Sequence, residues 1–187
     1  MPVYTNAYDN IRDFEDNAFS LWKSDFQGTA LSSVAHAFSH RIGKVLLSST
    51  YDIYNLIPFG SHPILDACFS SFDLAVQHEG ATFTRLEKTQ LVSEWDLVLR
   101  ELRVCDSSDL PPGSINCGRC EKCIRTATAL VGLDKLKATQ AFPYQDMTPS
   151  TLEQPRLINY PAIASIYEEL IPPLEEQNRL DLVKAIK

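Results

Sequence analysis

Apolar residues along this chain come either at helical spacing or in short runs, and the change from one to the other marks its elements. Leu31, Val34, Ala35, Phe38 and Ile42 recur at helical spacing, which predicts an amphipathic helix over about residues 30–41 with Gly43 as its C-terminal cap. Lys44 to Thr50 follows as a short run carrying Val45, Leu46 and Leu47, and reads as a buried parallel strand. Leu74 to His78 reads as a second strand, broken by Gly80. Residues 51–72, between these strands, are rich in aromatics and punctuated by Pro58, Gly60 and Pro63, which predicts a long functional loop. At the N-terminal end, residues 3–6 are β-prone, and residues 7–27, with Tyr8, Phe14, Phe19, Trp22 and Phe26, read as a short helix with loops.

Thr84 followed three residues later by Glu87 has the form of a capping box, so a helix of about ten residues is expected through Leu91 and Val92. Leu99 to Val104 reads as an extended approach to Cys105. Ile124 to Val131 reads as a helix ended by Gly132. Beyond it, prolines at 143, 149, 155, 161, 172 and 173 bracket two helical stretches, about 161–170 and 173–186. Helix, strand, loop, strand and helix in this order argue for an α/β layer. With so few strands, the chain looks like part of a doubly wound sheet, because a self-sufficient one has about five.

A length of 187 residues fits one domain, or one domain with a helical tail. Acidic residues outnumber basic ones by 24 to 17, which argues against a strongly cationic nucleic-acid binder. No apolar run reaches the roughly 18 residues that a membrane span needs. The first residues carry neither a basic n-region nor an apolar h-region, so no secretion signal is expected.

Five cysteines are present, and Cys105, Cys117, Cys120 and Cys123 crowd into a C-x11-C-x2-C-x2-C array. An odd count with such crowding fits a reducing cytoplasm and a metal site better than a disulfide scaffold. Four thiolates this close in sequence can surround one tetrahedral Zn2+. Gly118, after the first knuckle cysteine, lets the backbone turn so that amides face sulfur, and Cys123 opens a helix whose N-terminus favours thiolate. Such a closed site carries a formal charge of about −2, which Arg103, Arg119, Lys122 and Arg125 can offset. An iron–sulfur cluster also takes four thiolates, but the C-x3-C-P continuation of ferredoxins is absent. A redox C-x-x-C pair would need no further ligands. With no open coordination position, zinc here is expected to hold structure and not to catalyse.

Three blocks now carry a resemblance. Ala30 to Thr50, Thr84 to Val92, and Cys105 to Arg125 with its Cys-Gly-Arg-Cys-Glu-Lys-Cys knuckle resemble the C-terminal zinc region of 7-cyano-7-deazaguanine synthase. More broadly they resemble the N-type ATP pyrophosphatases, or adenine nucleotide alpha-hydrolase-like proteins. Pro58 to Asp66 looks like a loop of relatives in that family, and the resemblance covers about residues 3–133. It implies a partial Rossmann-like (HUP-type) parallel sheet over residues 1–133 that includes the zinc site, followed by a helical tail over 134–187. It also implies an enzyme that activates a carboxylate or carbonyl oxygen of a small-molecule substrate with ATP and releases pyrophosphate. The family holds ATP phosphates in a Ser-Gly-Gly-x-Asp-Ser loop, and this sequence has no Gly-Gly pair. ATP chemistry is therefore expected only if a phosphate-binding portion is supplied elsewhere, by a missing N-terminal portion or within a homo-oligomer.

His62 and Asp66, in the loop beyond the first strand, and Asp52, just after that strand, are candidate substrate contacts, because ligands of open α/β sheets bind outside the carboxyl ends of strands. Tyr51 shares the position of Asp52. Lys88 joins these candidates through the resemblance, which places a lysine of this helix near the substrate side; Arg85 beside it reads as a solvated base. The bland reading of each is a turn or helix-surface group. His36 and His40 form an i, i+4 pair on a polar face and read as solvated. His78 and Cys68 read as packing residues. Two readings from other classes stay open: a non-enzymatic zinc-stabilised interaction domain, and an RNA-binding module using Arg103, Arg119, Lys122 and Arg125.

Overall fold

Short apolar runs bounded by glycine and proline give this chain little β-structure and many short helices. The computed structural model describes residues 3–6, 21–105, 107–152 and 161–187. The expectation for residues 7–27 falls largely outside them. The fold is mixed α/β, mostly helical, and divides into two units, residues 1–83 and 84–187. Among the described residues no helix is long and apolar enough to cross a membrane.

In the first unit a π-helical turn, Trp22–Phe26, leads into α1, Gln27–His36. Gly28 is required there: its amide donates to Gly60 O at 2.6 Å, and a Cβ would stand 2.4 Å from that oxygen and 2.7 Å from Asp66 Oδ1. The strands are β1, Lys44–Ser48, and β2, Ala75–Glu79, paired in parallel with Lys44 opposite Ala75 and Ser48 opposite Glu79. A short helix α2, Pro63–Asp66, lies between them in sequence. Ala35, Leu47, Leu74 and Val76 form the core, with Val45 and Phe69 packed against it.

Several expectations change here. Residues 3–6 form no strand. α1 ends at His36, well before Gly43, whose φ is not positive. Its buried face is Gly28, Ala30, Ser32 and Ala35, while Leu31 stays 42% exposed, so the expected apolar stripe is only partly the core face. β1 is parallel as expected but covered on one face only: Leu47 is buried, and Leu46 is 56% exposed. The 51–72 segment is not one loop, since 3-10 turns at Ile53–Asn55 and Ala67–Phe69 flank α2. Gly80, at φ +79°, does terminate β2.

The second unit begins with α3, Arg85–Ser93, closed by the expected capping box: Thr84 Oγ1 accepts from Glu87 N, and the Glu87 carboxylate accepts from Thr84 N. α4, Asp96–Glu101, takes the first half of the Leu99–Val104 segment expected to be extended, and Leu102–Cys105 runs on without helix as expected. The central helix is α5, Glu121–Gly132. It ends at Gly132 as expected, but the left-handed residue that turns the chain is Asp134, at φ +53°. Then come α6, Pro149–Leu152; α7, Pro161–Glu168; α8, Ile171–Glu176; and α9, Leu180–Ile186. These last helices share one core with the cysteines: Leu152, Leu170, Leu174 and Leu182 belong to the same buried cluster as Cys105, Cys117 and Cys123. The tail expected to begin at residue 134 thus packs as part of the unit that starts at Thr84, and contacts thin at Phe83–Thr84 instead.

Candidate metal centre

Three chain segments deliver the four cysteines. Leu102–Cys105 supplies the first, and Asn116 fixes its path. That side chain is fully buried: Oδ1 accepts from Val104 N (2.8 Å) and Cys105 N (3.3 Å), while Nδ2 donates to Leu102 O (2.7 Å) and Ala141 O (2.9 Å). A buried amide with both ends satisfied holds two backbone segments in one arrangement. Cys117 follows directly, and its amide donates to Cys105 Sγ at 3.3 Å. Gly118, at φ +73°, makes the knuckle turn, and a Cβ there would stand 2.4 Å from Pro143 Cγ, so only glycine fits. Tyr144 Oη donates to Gly118 O at 3.1 Å. Cys120 caps α5, and Cys123 sits in its first turn with no exposed surface.

The four sulfur atoms all lie within 4.8 Å of one another, with Cys117 and Cys123 at 3.8 Å and Cys120 and Cys123 at 3.4 Å. Tetrahedral zinc at about 2.3 Å from each sulfur sets sulfurs about 3.8 Å apart, so this donor set fits Zn2+. Protonation points the same way. Burial pushes the Cys117 thiol up, but the amides of Arg119 and Cys120 and the neighbouring thiols outweigh it and bring it down to about 7. Burial and the adjoining sulfurs push Cys120 and Cys123 up. One thiolate forms readily and the next resist, because negative charge accumulates in a shielded place. A dication relieves that repulsion.

The surrounding bases are engaged within the chain. Arg103 donates to Ile115 O (2.7 Å) and Ser107 O (2.9 Å), Arg119 pairs with Asp109, and Arg125 Nη1 lies 3.3 Å from Glu121 Oε1. Arg103 thereby ties residues 107 and 115 of the cysteine loop together, while Arg119 stays 59% exposed.

The expected substrate contacts are divided between the two units. Asp52, His62 and Asp66 belong to the first unit and Lys88, on α3, to the second. Asp52 caps a turn, accepting from Tyr54 N and Asn55 Nδ2. His62 caps α2, its Nδ1 accepting from Ile64 N at 3.2 Å. Asp66 is fully buried: Oδ2 accepts from Ser61 Oγ (2.8 Å) and lies 2.7 Å from His78 Nδ1, and Oδ1 accepts from His62 N (3.2 Å). Lys88 is half-buried.

Sequence reasoning missed two groups. His78 does more than pack, since it pairs with Asp66, and only the β1–β2 layer brings them together. Asn116 carried no signal beyond its place before Cys117. Two side chains were misplaced: His36 is not solvated, its Nε2 lying 2.7 Å from Phe69 O, and Cys68 is exposed, not buried.

Comparison with protein-family models, with curated proteins and with solved structures finds no match to this chain, so the four-cysteine cluster is what characterises it.

Proposed function

We propose that Cys105, Cys117, Cys120 and Cys123 hold one structural Zn2+, and that the chain is the zinc-bearing portion of an ATP-dependent adenylating or ligating enzyme of the ATP pyrophosphatase type, acting on a small molecule. The observation that carries the metal reading is the convergence of four sulfurs within 4.8 Å from three segments. The enzyme reading rests on the order of its blocks: helix and strand, a capped helix, then a knuckle opening a helix. Zinc closes the loop between Cys105 and α5, and the phosphate-binding loop comes from outside these 187 residues. A second reading, a zinc-stabilised interaction domain, is favoured by the engagement of Asp52, His62 and Asp66 in caps and buried hydrogen bonds.

Elemental analysis of the purified chain tests the metal: one zinc per chain in a colourless protein is expected, and iron with visible absorption overturns it. Calorimetry with ATP, with and without a polypeptide bearing a Ser-Gly-Gly-x-Asp-Ser loop, tests the enzyme. Binding in the mixture that exceeds binding to either component supports it; none leaves the interaction domain.

A further inference from the structure

The two edges of the β1–β2 sheet are treated differently by the sequence. Ala75 N donates to Gly43 O and Ser49 N to Glu79 O, so residues 43, 45, 47 and 49 direct their backbone groups to β2. Lys44, Leu46 and Ser48 therefore direct theirs to the opposite edge. The far edge of β2 is guarded: Val76 N donates to Ser70 Oγ at 3.0 Å, and that hydroxyl donates back to Val76 O at 3.4 Å. The β1 edge has no partner among the described residues, and no proline or bulge interrupts it. Beside it runs a groove of about 680 Å³, bordered by Val3 of the same chain and lined by Leu31, Val34, Phe38, Ile42 and Leu46. Its apolar wall is the stripe that runs from α1 into the turn after it.

We infer that a second copy of this chain closes this edge: two β1 strands pair antiparallel about a twofold axis at Leu46, giving the strand order β2-β1-β1-β2. Three features select this occupant. The outward residues are symmetric about Leu46, so Lys44 meets Ser48 of the second copy and Leu46 meets Leu46, each pair exchanging both backbone hydrogen bonds. The sheet face bearing Lys44, Leu46, Ser48, Gln77 and Glu79 is largely exposed, which suits an antiparallel sheet with one wet face and not a parallel sheet covered on both. Leu46, 56% exposed, is the apolar exception on that face, and the pairing covers it with its own symmetry mate. The charges also complement. Ser48 lies opposite Glu79 within the chain, so the row across the sheet reads Glu79, Ser48, then Lys44 of the second copy. Only a small serine separates the ammonium from the carboxylate, and the twofold axis repeats the pair at the other end. The two α1 helices come side by side and close the groove.

Sedimentation equilibrium of the full chain, with hydrogen exchange, decides the matter. A dimer is expected, with slow exchange at the amides of Lys44, Leu46 and Ser48 that speeds on dilution. Leu46→Lys, at an exposed position, should keep the circular dichroism spectrum and zinc content and yield a monomer. Lys44→Glu and Glu79→Lys should each weaken association, by about tenfold, through loss of two exposed pairs. The double variant should restore it, a rescue that general destabilisation cannot produce. A monomer up to the solubility limit overturns the inference. So does a dimer indifferent to Leu46→Lys, or a charge reversal without rescue. None of these outcomes bears on zinc; a dimer through this edge would deny it to the further parallel strands that the ATP reading requires, so the two readings are told apart.

Discussion

The two units hold themselves together by opposite means. In the second, the cysteines belong to the hydrophobic core: Cys123 is packed with Ile124, Leu130, Leu174 and Leu182 in one buried cluster. In the first, the core among the described residues is Ala35, Leu47, Leu74 and Val76, and the buried carboxylate of Asp66 ties loop, helix and strand through Ser61, His62 and His78. Each unit adds polar groups to its core: a four-cysteine cluster able to hold a dication in one, a buried hydrogen-bonded carboxylate in the other. Residue types that read as chemistry can therefore be structure. Metal withdrawal tests the second unit, and removal of one carboxylate tests the first.

Stripping zinc, or the substitution Cys123→Ser, should have the largest effect. Binding energy of a structural zinc is folding energy of about 10 kcal/mol or more, so the amides of α5 should lose protection from exchange while those of β1 and β2 keep theirs. Equal loss in both units would erase the contrast. Asp66→Asn should do the reverse. It replaces an acceptor by a donor where Ser61 Oγ and His62 N donate, and should cost the first unit about 3 kcal/mol in denaturant melts, with zinc content unchanged.

pH sharpens the contrast further. Cys120 and Cys123 are pushed up and stay protonated near neutrality, while Cys117 titrates at about 7. Zinc must displace at least the first two protons, so its affinity should rise by about a hundredfold or more per pH unit between pH 6 and 8, and fall as steeply on acidification. Chelator competition across that range measures it; a flat profile would mean that thiolates are not the ligands. Smallest, Thr84→Ala should cost about 1 kcal/mol by opening the capping box of α3, read as a modest drop in melting temperature without loss of metal.

What could be read in advance was local. The Thr84–Glu87 box, the two strand runs and the helix after Cys123 each need only neighbouring residues, and each is present. Errors arose where distant partners decide. Leu99–Glu101 read as extended, yet they close the helix α4, and Leu99 is buried in the second unit's core. The apolar stripe read from the sequence has helical spacing, but among the described residues the buried side of α1 is its small-residue side, Gly28, Ala30, Ser32 and Ala35. The late helices read as an appendage because prolines isolate them, whereas Leu170, Leu174 and Leu182 are buried with the cysteines.

By itself the sequence determined which four cysteines make up the candidate metal centre, because spacing of a few residues limits where a sulfur can go, and Gly118 sets the turn between Cys117 and Cys120. Tertiary structure alone decided that Asn116 holds the Cys105 segment to the knuckle, that His78 meets Asp66, and that one edge of the sheet is guarded and the other open. Those facts depend on groups far apart in sequence, whose meeting is fixed by the packing of whole layers and not by any local preference.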